Sequence, residues 1–274
     1  MSDIVLSAGV RSNLLQLQQT SDLINQTQNR LASGKKVNSA LDNAINFFTA
    51  QGLDNRANSL NNLLDSMSNG INTIQAANNG ITSITKLVQS AQALVSQAQQ
   101  AGNTTTQATL STQFNALLTQ IGQLAGDSGF NGVNLLAGNT LTVTLNETGS
   151  SSTAVVGIDY TNASGAGLSI ATAANNWAAA SDITAASTAL SSAFTKLQSE
   201  SQTLSSSLST VQIRQDFTKA TINTLQTGSD ALTLADSNQE GANLLALQTR
   251  QQLSSTALSL ASQADQAVLR LFQG

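Results

Sequence analysis

An apolar residue recurs every seven positions through one stretch of this sequence, and that spacing leaves few alternatives to long packed helices. The row is Leu60, Met67, Ile74, Ile81, Val88 and Val95. Seven residues make close to two turns of an α-helix, so the six side chains share one face. At about 1.5 Å per residue, the row predicts a helix of about 40 residues and about 60 Å. Gly70 and Gly80 each lower its helix propensity by about 1 kcal/mol, but the row continues past both, and the chain has no proline that would break it.

Alternating steps of four and three residues predict a helix at the start of the chain. Its apolar seam is Val10, Leu14, Leu17, Ile24 and Leu31. The helix ends at Ser33-Gly34, where glycine is a common stop signal and two lysines follow. A second helical region begins after Asn38-Ser39 and leads into the seven-residue row.

The same spacing predicts three more helices further along the chain. One carries Leu110, Phe114, Leu117, Ile121 and Leu124. Another starts near Asp182, a suitable N-cap, and runs to Leu232 with Ser201, Gln215, Thr218 and Ser229 filling polar seam positions. The last helix spans roughly Ala242 to Phe272.

A short β-hairpin is predicted between these helices. Residues 141, 143 and 145 and residues 156, 158 and 160 are apolar at alternate positions, and "NETGSSST" lies between the two runs. The predicted fold class is therefore mainly α: an elongated rod of long antiparallel helices, with a coiled-coil-like terminal pair, a helical bundle and a small hairpin insertion.

The composition excludes several classes of function. Cysteine and histidine are absent, which removes the thiolate nucleophile, the imidazole base and the usual zinc ligands. We therefore predict no enzyme, no catalytic residue, no metal site and no cofactor. A net charge of -4 without a Lys/Arg cluster argues against nucleic acid as a partner. The polar helix faces are Gln, Ser and Asn rather than Lys and Arg, which favours partner helices over a membrane surface.

Three sequence motifs resemble bacterial flagellin. They are "NRLASGKKVNSALDNA" at 29–44, "FNGVNLLAG" at 130–138 and "LQTRQQLSSTALSLASQADQAVLRLF" at 247–272, in the flagellin order. The resemblance covers roughly residues 1–140 and 180–274. It implies a structural subunit that polymerises into the extracellular flagellar filament for swimming. A flagellin-like hook-filament junction protein and, from a different class, an intracellular coiled-coil scaffold are the alternatives.

The resemblance also implies a division of the chain and a set of partners. Residues 1–33 and 240–274 form an inner terminal-helix domain, 34–44 and 233–239 a connecting spoke, 45–139 and 179–232 a helical domain, and 140–178 an exposed insertion. The implied partners are other flagellin subunits, a filament cap, hook-associated proteins, and a chaperone that holds the C-terminal segment before type III export without signal cleavage.

Apolar side chains occur on two sides of the last helix, which predicts that neighbouring subunits cover one side. One stripe is Leu260, Ala264, Ala267 and Leu271; the other, Leu258, Ala261, Val268 and Phe272, is expected to stay uncovered by a lone helix pair. The predicted assembly residues are Val10, Leu14, Leu17, Ile24, Leu31, Leu253, Leu258, Leu260, Val268, Leu271 and Phe272. We expect residues 1–33 and about 240–274 to become ordered only on assembly.

Two surface features complete the interpretation. Flagellins that a vertebrate innate receptor recognises typically read like LQRVREL where this chain has residues 88–94. Ser90, Gln92 and Ala93 replace both arginines and the glutamate; Leu94 is kept but offers neither charge nor bidentate hydrogen bonding, so weak recognition is expected. The candidate sites of surface modification are Ser150, Ser151, Ser152 and Thr153.

Overall fold

Five α-helices and one two-stranded antiparallel sheet make up the part of the chain that the structure describes. The computed structural model describes the backbone of residues 8–272, and side chains there except those of 265 and 268–272. The helices are α1 (Ala8–Ser33), α2 (Ala40–Gln100), α3 (Thr104–Asp127), α4 (Ala180–Thr233) and α5 (Ser237–Phe272); the strands are β1 (Thr140–Thr144) and β2 (Ser152–Val156). The predicted mainly α fold class with a small hairpin is confirmed.

The chain divides into two compact units. The terminal unit consists of the residues up to Asn55 and those from Thr224 onward, and the central unit consists of Arg56–Asn223. Helices α2 and α4 therefore contribute residues to both units. The finer division into four segments stays a prediction.

Helix α2 begins at Ala40, directly after Ser39 as predicted, and joins the second helical region to the seven-residue row in one helix. Asn43 interrupts it with an extended backbone (φ -163°, ψ 102°), and its side-chain Oδ1 accepts a hydrogen bond from the Asn46 N–H at 2.9 Å. Asn43 thus acts as an internal N-cap. The Asp42 carboxylate accepts the N–H groups of Asn38 and Ser39, both at 3.0 Å, and these bonds lower the pKa of Asp42.

The core of the central unit follows the predicted row. All six residues from Leu60 to Val95 are buried, with at most 5% of their surface exposed. On α3 the inward positions are Leu118 and Ala125, whereas the predicted Leu117 and Leu124 are half-buried. The α3 seam is displaced by one residue toward the C-terminus at these two positions, because an alanine fills a core position that apolar spacing alone did not indicate.

The hairpin is present, but its second strand is displaced. Thr140 pairs with Val156 and Thr144 with Ser152, so the strand begins inside the predicted turn. It ends at Val156, and beyond it the Gly157 N–H still donates to the Asn139 carbonyl at 3.0 Å; a side chain on Gly157 would clash with the carbonyl oxygens of Leu135 and Asn139. Val143 and Val155 are buried. The predicted strand positions 158 and 160 lie outside β2, where the only antiparallel pairing described is an isolated bridge between Asp159 and Ala137.

Glycines within the helices allow neighbouring segments to approach closely. A Cβ on Gly70 would lie 2.6 Å from Val143 Cγ2, and one on Gly80 would lie 2.7 Å from Leu136 Cδ1. On α3, a Cβ on Gly122 would overlap the carbonyl oxygen of Thr161. Although glycine lowers helix propensity, the lack of a side chain at these three positions allows the hairpin and the following loop to pack directly against the helices.

Two helix starts differ from the predictions. Helix α4 begins at Ala180, which places Asp182 in its first turn rather than at its N-cap. Helix α5 begins at Ser237, five residues before the predicted Ala242, because the Asp236 carboxylate accepts the N–H of Asn238 at 2.9 Å and that of Gln239 at 3.2 Å. The stop of α1 is confirmed, since Gly34 adopts a positive φ of 68° directly after Ser33.

Candidate assembly surfaces

The terminal unit is built on the pairing of α1 with α5. Steps of three and four residues define the inward face of each helix. On α1 this face consists of buried or half-buried Val10, Asn13, Leu17, Thr20, Ile24 and Thr27; on α5 it consists of Glu240, Leu244, Leu247, Gln251, Ser254, Leu258 and Ala261. Glu240 is the only residue of α5 classed as buried among those whose side chains are described. The pair therefore buries little apolar surface for its length.

Polar contacts fix one end of this pair. The Arg30 guanidinium Nη1 donates to Glu240 Oε1 at 3.3 Å, and Glu240 is only 9% exposed. The segment after α1 pairs with the segment after α4, since the Lys36 N–H donates to the Thr233 carbonyl at 2.8 Å and the Ala235 N–H to the Gly34 carbonyl at 2.9 Å. The Lys36 ammonium also donates to the Ala231 carbonyl at 2.9 Å.

The predicted assembly residues fall into two groups in the structure. Val10 and Ile24 are buried and Leu17 and Leu258 half-buried within the helix pair; Leu14, Leu31, Leu253 and Leu260 are exposed. The side chains of Val268, Leu271 and Phe272 lie outside the described residues. The exposed group is free to meet another molecule, and the inward group holds the pair together.

As far as their side chains are described, the two stripes of α5 exchange the roles expected from the sequence. Leu258 and Ala261, predicted to be uncovered, face α1 and are half-buried, whereas Leu260 and Ala264 are exposed. The inward face continues in steps of three and four from the buried Glu240, and polar Gln251 and Ser254 occupy two of its positions. The prediction was wrong because it followed apolar residues alone.

An exposed apolar row runs along α5. Leu245, Leu253 and Leu260 are 68%, 66% and 62% exposed and lie eight and seven residues apart. Side chains at this spacing share one face of the helix. Leu14, Leu15, Leu23 and Leu31 are the exposed leucines of α1.

Two further groups of exposed apolar side chains were not identified from the sequence. Leu41, Ile45 and Phe48 are exposed in the terminal unit, at a spacing of four and three residues along the start of α2. Ile213 and Phe217 are exposed four residues apart on α4, in the central unit. The spacing was visible in the sequence, but apolar spacing does not distinguish a face covered within the chain from an uncovered one.

The two predicted surface features are accessible to different degrees. On α2, Ser90 and Ala93 are exposed, and Gln92 and Leu94 are half-buried beside the core residues Val88 and Ala91. In the hairpin turn and the start of β2, Ser150 and Ser152 are exposed, and Ser151 and Thr153 are half-buried. The Arg56 side chain donates to Glu147 at 2.6 Å and so ties this turn to α2.

The described residues form neither a membrane-spanning helix nor a cluster of metal ligands. Among residues 8–272, no helix is both long and apolar enough to cross a membrane. In the same part of the chain, no group of three or more acidic, cysteine or histidine side chains comes together as metal ligands would.

Comparisons with known proteins place the chain in a family. A family model for the bacterial flagellin N-terminal helical region matches residues 8–140. Flagellin FljO of Caulobacter vibrioides is 30% identical over 275 residues, an alignment that takes in 100% of this chain and 99% of FljO. This chain belongs to the bacterial flagellin family. Flagellin FljK of the same organism is 33% identical to this flagellin over 56% of the chain and 55% of FljK.

A flagellin of Brucella melitensis is 39% identical over 35% of this chain and 35% of its own length. Among solved structures, the Bacillus cereus flagellin matches with a TM-score of 0.47 and 21% identity, over 57% of this chain and 88% of that one. The family is a structural one, whose members polymerise into the extracellular flagellar filament. This flagellin is thus a structural subunit of the filament and serves motility, and neither the junction protein nor the intracellular scaffold is favoured.

Proposed function

We propose that this flagellin polymerises through the outward faces of α1 and α5, which become buried against neighbouring copies. The observation that carries the proposal is the row Leu245, Leu253 and Leu260, each about two-thirds exposed on a helix that ends close to the chain terminus. A helical filament repeats one contact between different surfaces of identical subunits, so such rows receive complementary rows from the next copy.

Energetics favour the coupling of order in these helices to assembly. Fixing each backbone residue costs about 1–2 kcal/mol, whereas burying a whole Leu or Ile side chain returns about 1.5–3 kcal/mol. On α1, of 26 residues, only Val10 and Ile24 are apolar and buried. The helix pair is thus weakly held in the single subunit, and added contacts from neighbours would stabilise it.

The remaining partners follow from the family resemblance. A filament cap, hook-associated proteins and a chaperone on residues 240–274 are part of the proposal, together with type III export without signal cleavage and an outward position for residues 140–178. The exposed face of α5 offers such a chaperone apolar side chains before they are used in the filament.

A double substitution on the exposed row tests the assembly surface. Leu253→Gln with Leu260→Gln keeps helix propensity but removes two apolar side chains. Because each is about two-thirds exposed, full burial would add about 1–2 kcal/mol per leucine. Losing both contacts should raise the critical concentration for polymerisation about 30- to 1,000-fold. Sedimentation of polymer from monomer at a series of concentrations measures it.

Gln252→Ala on the same helix is the matched control, since Gln252 is exposed and polar. Circular dichroism should be unchanged in all variants, because no buried side chain is altered. An unchanged critical concentration in the double variant would refute the assembly surface, while polymer formation itself would still support the filament role.

The coupling of order to assembly has its own test. Limited proteolysis of monomer should trim both ends to a core near residues 45–235 and leave the filament intact, and deletion of residues 264–274 should preserve that core and abolish polymerisation. Protected ends in the monomer, or normal filaments from the shortened chain, would contradict the coupling.

A further inference from the structure

The central unit contains a cavity that assembly does not explain. It has a volume of about 700 Å³ and lies between the loop 157–167 and helix α4. Its polar lining is Asp159, Tyr160, Asn162, Lys196, Ser199 and Glu200. Gly157 and Gly167 hold the loop close to its neighbours, because a side chain on Gly167 would clash with the Asp159 carbonyl and one on Gly157 with that of Leu135. The cavity wall is therefore fixed by the backbone.

Glu200 brings an unpaired carboxylate into this wall. It occupies a core position of α4, between the fully buried Leu197 and Leu204, and is itself only 8% exposed. None of the ion pairs or hydrogen bonds found among the described side chains involves its carboxylate. Glu240 is buried to the same degree but is paired with Arg30. Burial raises the pKa of Glu200, as expected for a carboxylate without a counter-charge.

The other charged groups around the cavity have partners already. The Lys196 ammonium donates to the Ala166 carbonyl at 3.3 Å and to Ser169 Oγ at 3.1 Å. Asp159 Oδ1 accepts from the N–H and the hydroxyl of Thr161, and these bonds lower the pKa of Asp159. Burial raises the pKa of Tyr160 to about 12, and the nearby charge of Glu200 adds to the shift. Glu200 is thus left as the one lining carboxylate without a partner among the described residues.

We propose that this cavity binds a primary ammonium or guanidinium group on the carboxylate of Glu200. The Glu200 side chain is mostly buried and lines the cavity, so a cation bound there would offset the desolvation of its carboxylate. The Tyr160 ring beside it offers a further attraction for a cationic nitrogen. The cation comes either from a free amine or from a lysine or arginine of a second copy of the chain, since both present the same chemistry.

Tyr160 is the only tyrosine in the chain, which makes it a specific reporter of the site. We would label the tyrosine Cζ with an NMR-active carbon isotope and follow its resonance while full-length monomer is titrated with n-propylammonium chloride at about pH 8. A titration with sodium chloride at equal ionic strength gives the baseline. A saturable shift of the single resonance is expected. Glu200→Gln should weaken the affinity about tenfold or more, because it removes a charge-assisted contact.

Two control variants separate the site from general charge effects. Glu147→Gln removes an acid from the hairpin turn of the same unit and should leave the titration unchanged. Lys196→Met should leave the affinity equal or make it tighter, because a like charge is removed from the wall. If amine bound only to the Lys196→Met protein, Lys196 would be the natural occupant of Glu200 and the proposal would be wrong.

Lowering the pH through the raised pKa of Glu200 should abolish binding, since the carboxyl group then carries no charge. Asp159, with its lowered pKa, stays ionised and Tyr160 stays neutral across that range, so neither would mimic the effect. Binding that persists in Glu200→Gln, or a shift that sodium chloride reproduces in full, would overturn the proposal.

A second arm distinguishes the two sources of the cation and rests on the proposed polymerisation. If the Tyr160 resonance moves on filament formation without amine, and the filament no longer takes up amine, a second copy supplies the cation. An unmoved resonance with retained amine binding identifies a free amine. No saturable shift in the monomer would refute the site while leaving the filament role untouched.

Discussion

Gly122→Ala should destabilise the central unit, although alanine normally strengthens a helix. The new Cβ would overlap the carbonyl oxygen of Thr161 and lie 3.2 Å from its carbonyl carbon. A backbone oxygen cannot rotate away as a flexible side chain can, so α3 and the loop at Thr161 must separate. Such overpacking costs about 1–3 kcal/mol, with the upper end expected here, and alanine returns about 1 kcal/mol of helix propensity. The net loss is about 1–2 kcal/mol.

Gly126→Ala is the matched control, since it lies four residues further along α3 with nothing within 4 Å of the added carbon. It should stabilise the unit by up to about 1 kcal/mol. At about 2–4 °C per kcal/mol, the Tm should fall by about 2–8 °C in Gly122→Ala and rise slightly in Gly126→Ala. Trp177, the only tryptophan, is fully buried in the central unit, so its fluorescence follows this unfolding. A Tm for Gly122→Ala equal to or above that of Gly126→Ala would refute the close-approach argument.

Three further predictions concern charge and exposure. Because burial raises the pKa of Glu200, the wild type loses stability as pH rises from the ordinary glutamate pKa through the raised one, and Glu200→Gln should have a higher urea midpoint than the wild type across that window. Glu147→Gln should have a lower urea midpoint than the wild type at pH values where Glu147 is ionised, because the Glu147 N–H and then Arg56 lower the pKa of that carboxyl group. A maleimide dye should label Ser150→Cys in intact filaments but not Ser111→Cys, which replaces a serine only 1% exposed; an unlabelled Ser150→Cys filament would contradict the outward position of the hairpin. Ser90→Arg with Gln92→Arg and Ala93→Glu should raise innate-receptor signalling by purified monomer, and equal responses from the two proteins would count against the charge argument.

The sequence predicted best those helices whose inward positions carry large apolar side chains. The row from Leu60 to Val95 is an example, because each of its side chains is large enough to identify the core face by itself. The α1 face was predicted only in part, since Thr20 and Thr27 occupy inward positions that apolar counting passes over. Glu200 was missed for the same reason: the series Leu190, Ala193, Leu197 leads to it in steps of three and four, but a glutamate is not expected in a core.

The loops between β2 and α4 could not be derived from local pattern. At Gly157 and Gly167, carbonyl groups of distant or facing segments leave no room for a side chain. The turn at Asn175–Trp177 has three successive positive φ angles of 47°, 52° and 59°. Left-handed backbone in non-glycine residues costs free energy that only tertiary packing offsets, here the ring of Trp177 4.9 Å from that of Phe114. Exposed leucines could be located in sequence, but their exposure depends on what the rest of the chain leaves uncovered.

The ion pair between Arg30 and Glu240 joins residues 210 positions apart. Closing so long a loop carries an entropy cost that comes before its contacts can stabilise the fold. By contrast, only three residues separate α2 from α3 along the chain, so the loop between these helices is short. The central unit therefore has a kinetic advantage, and α1 must wait for α5. A chain delivered N-terminus first carries α1 with no partner until almost its whole length has emerged. The order of residues along the chain thus sets the order of folding, in which the apolar faces proposed to join one subunit to the next are completed last.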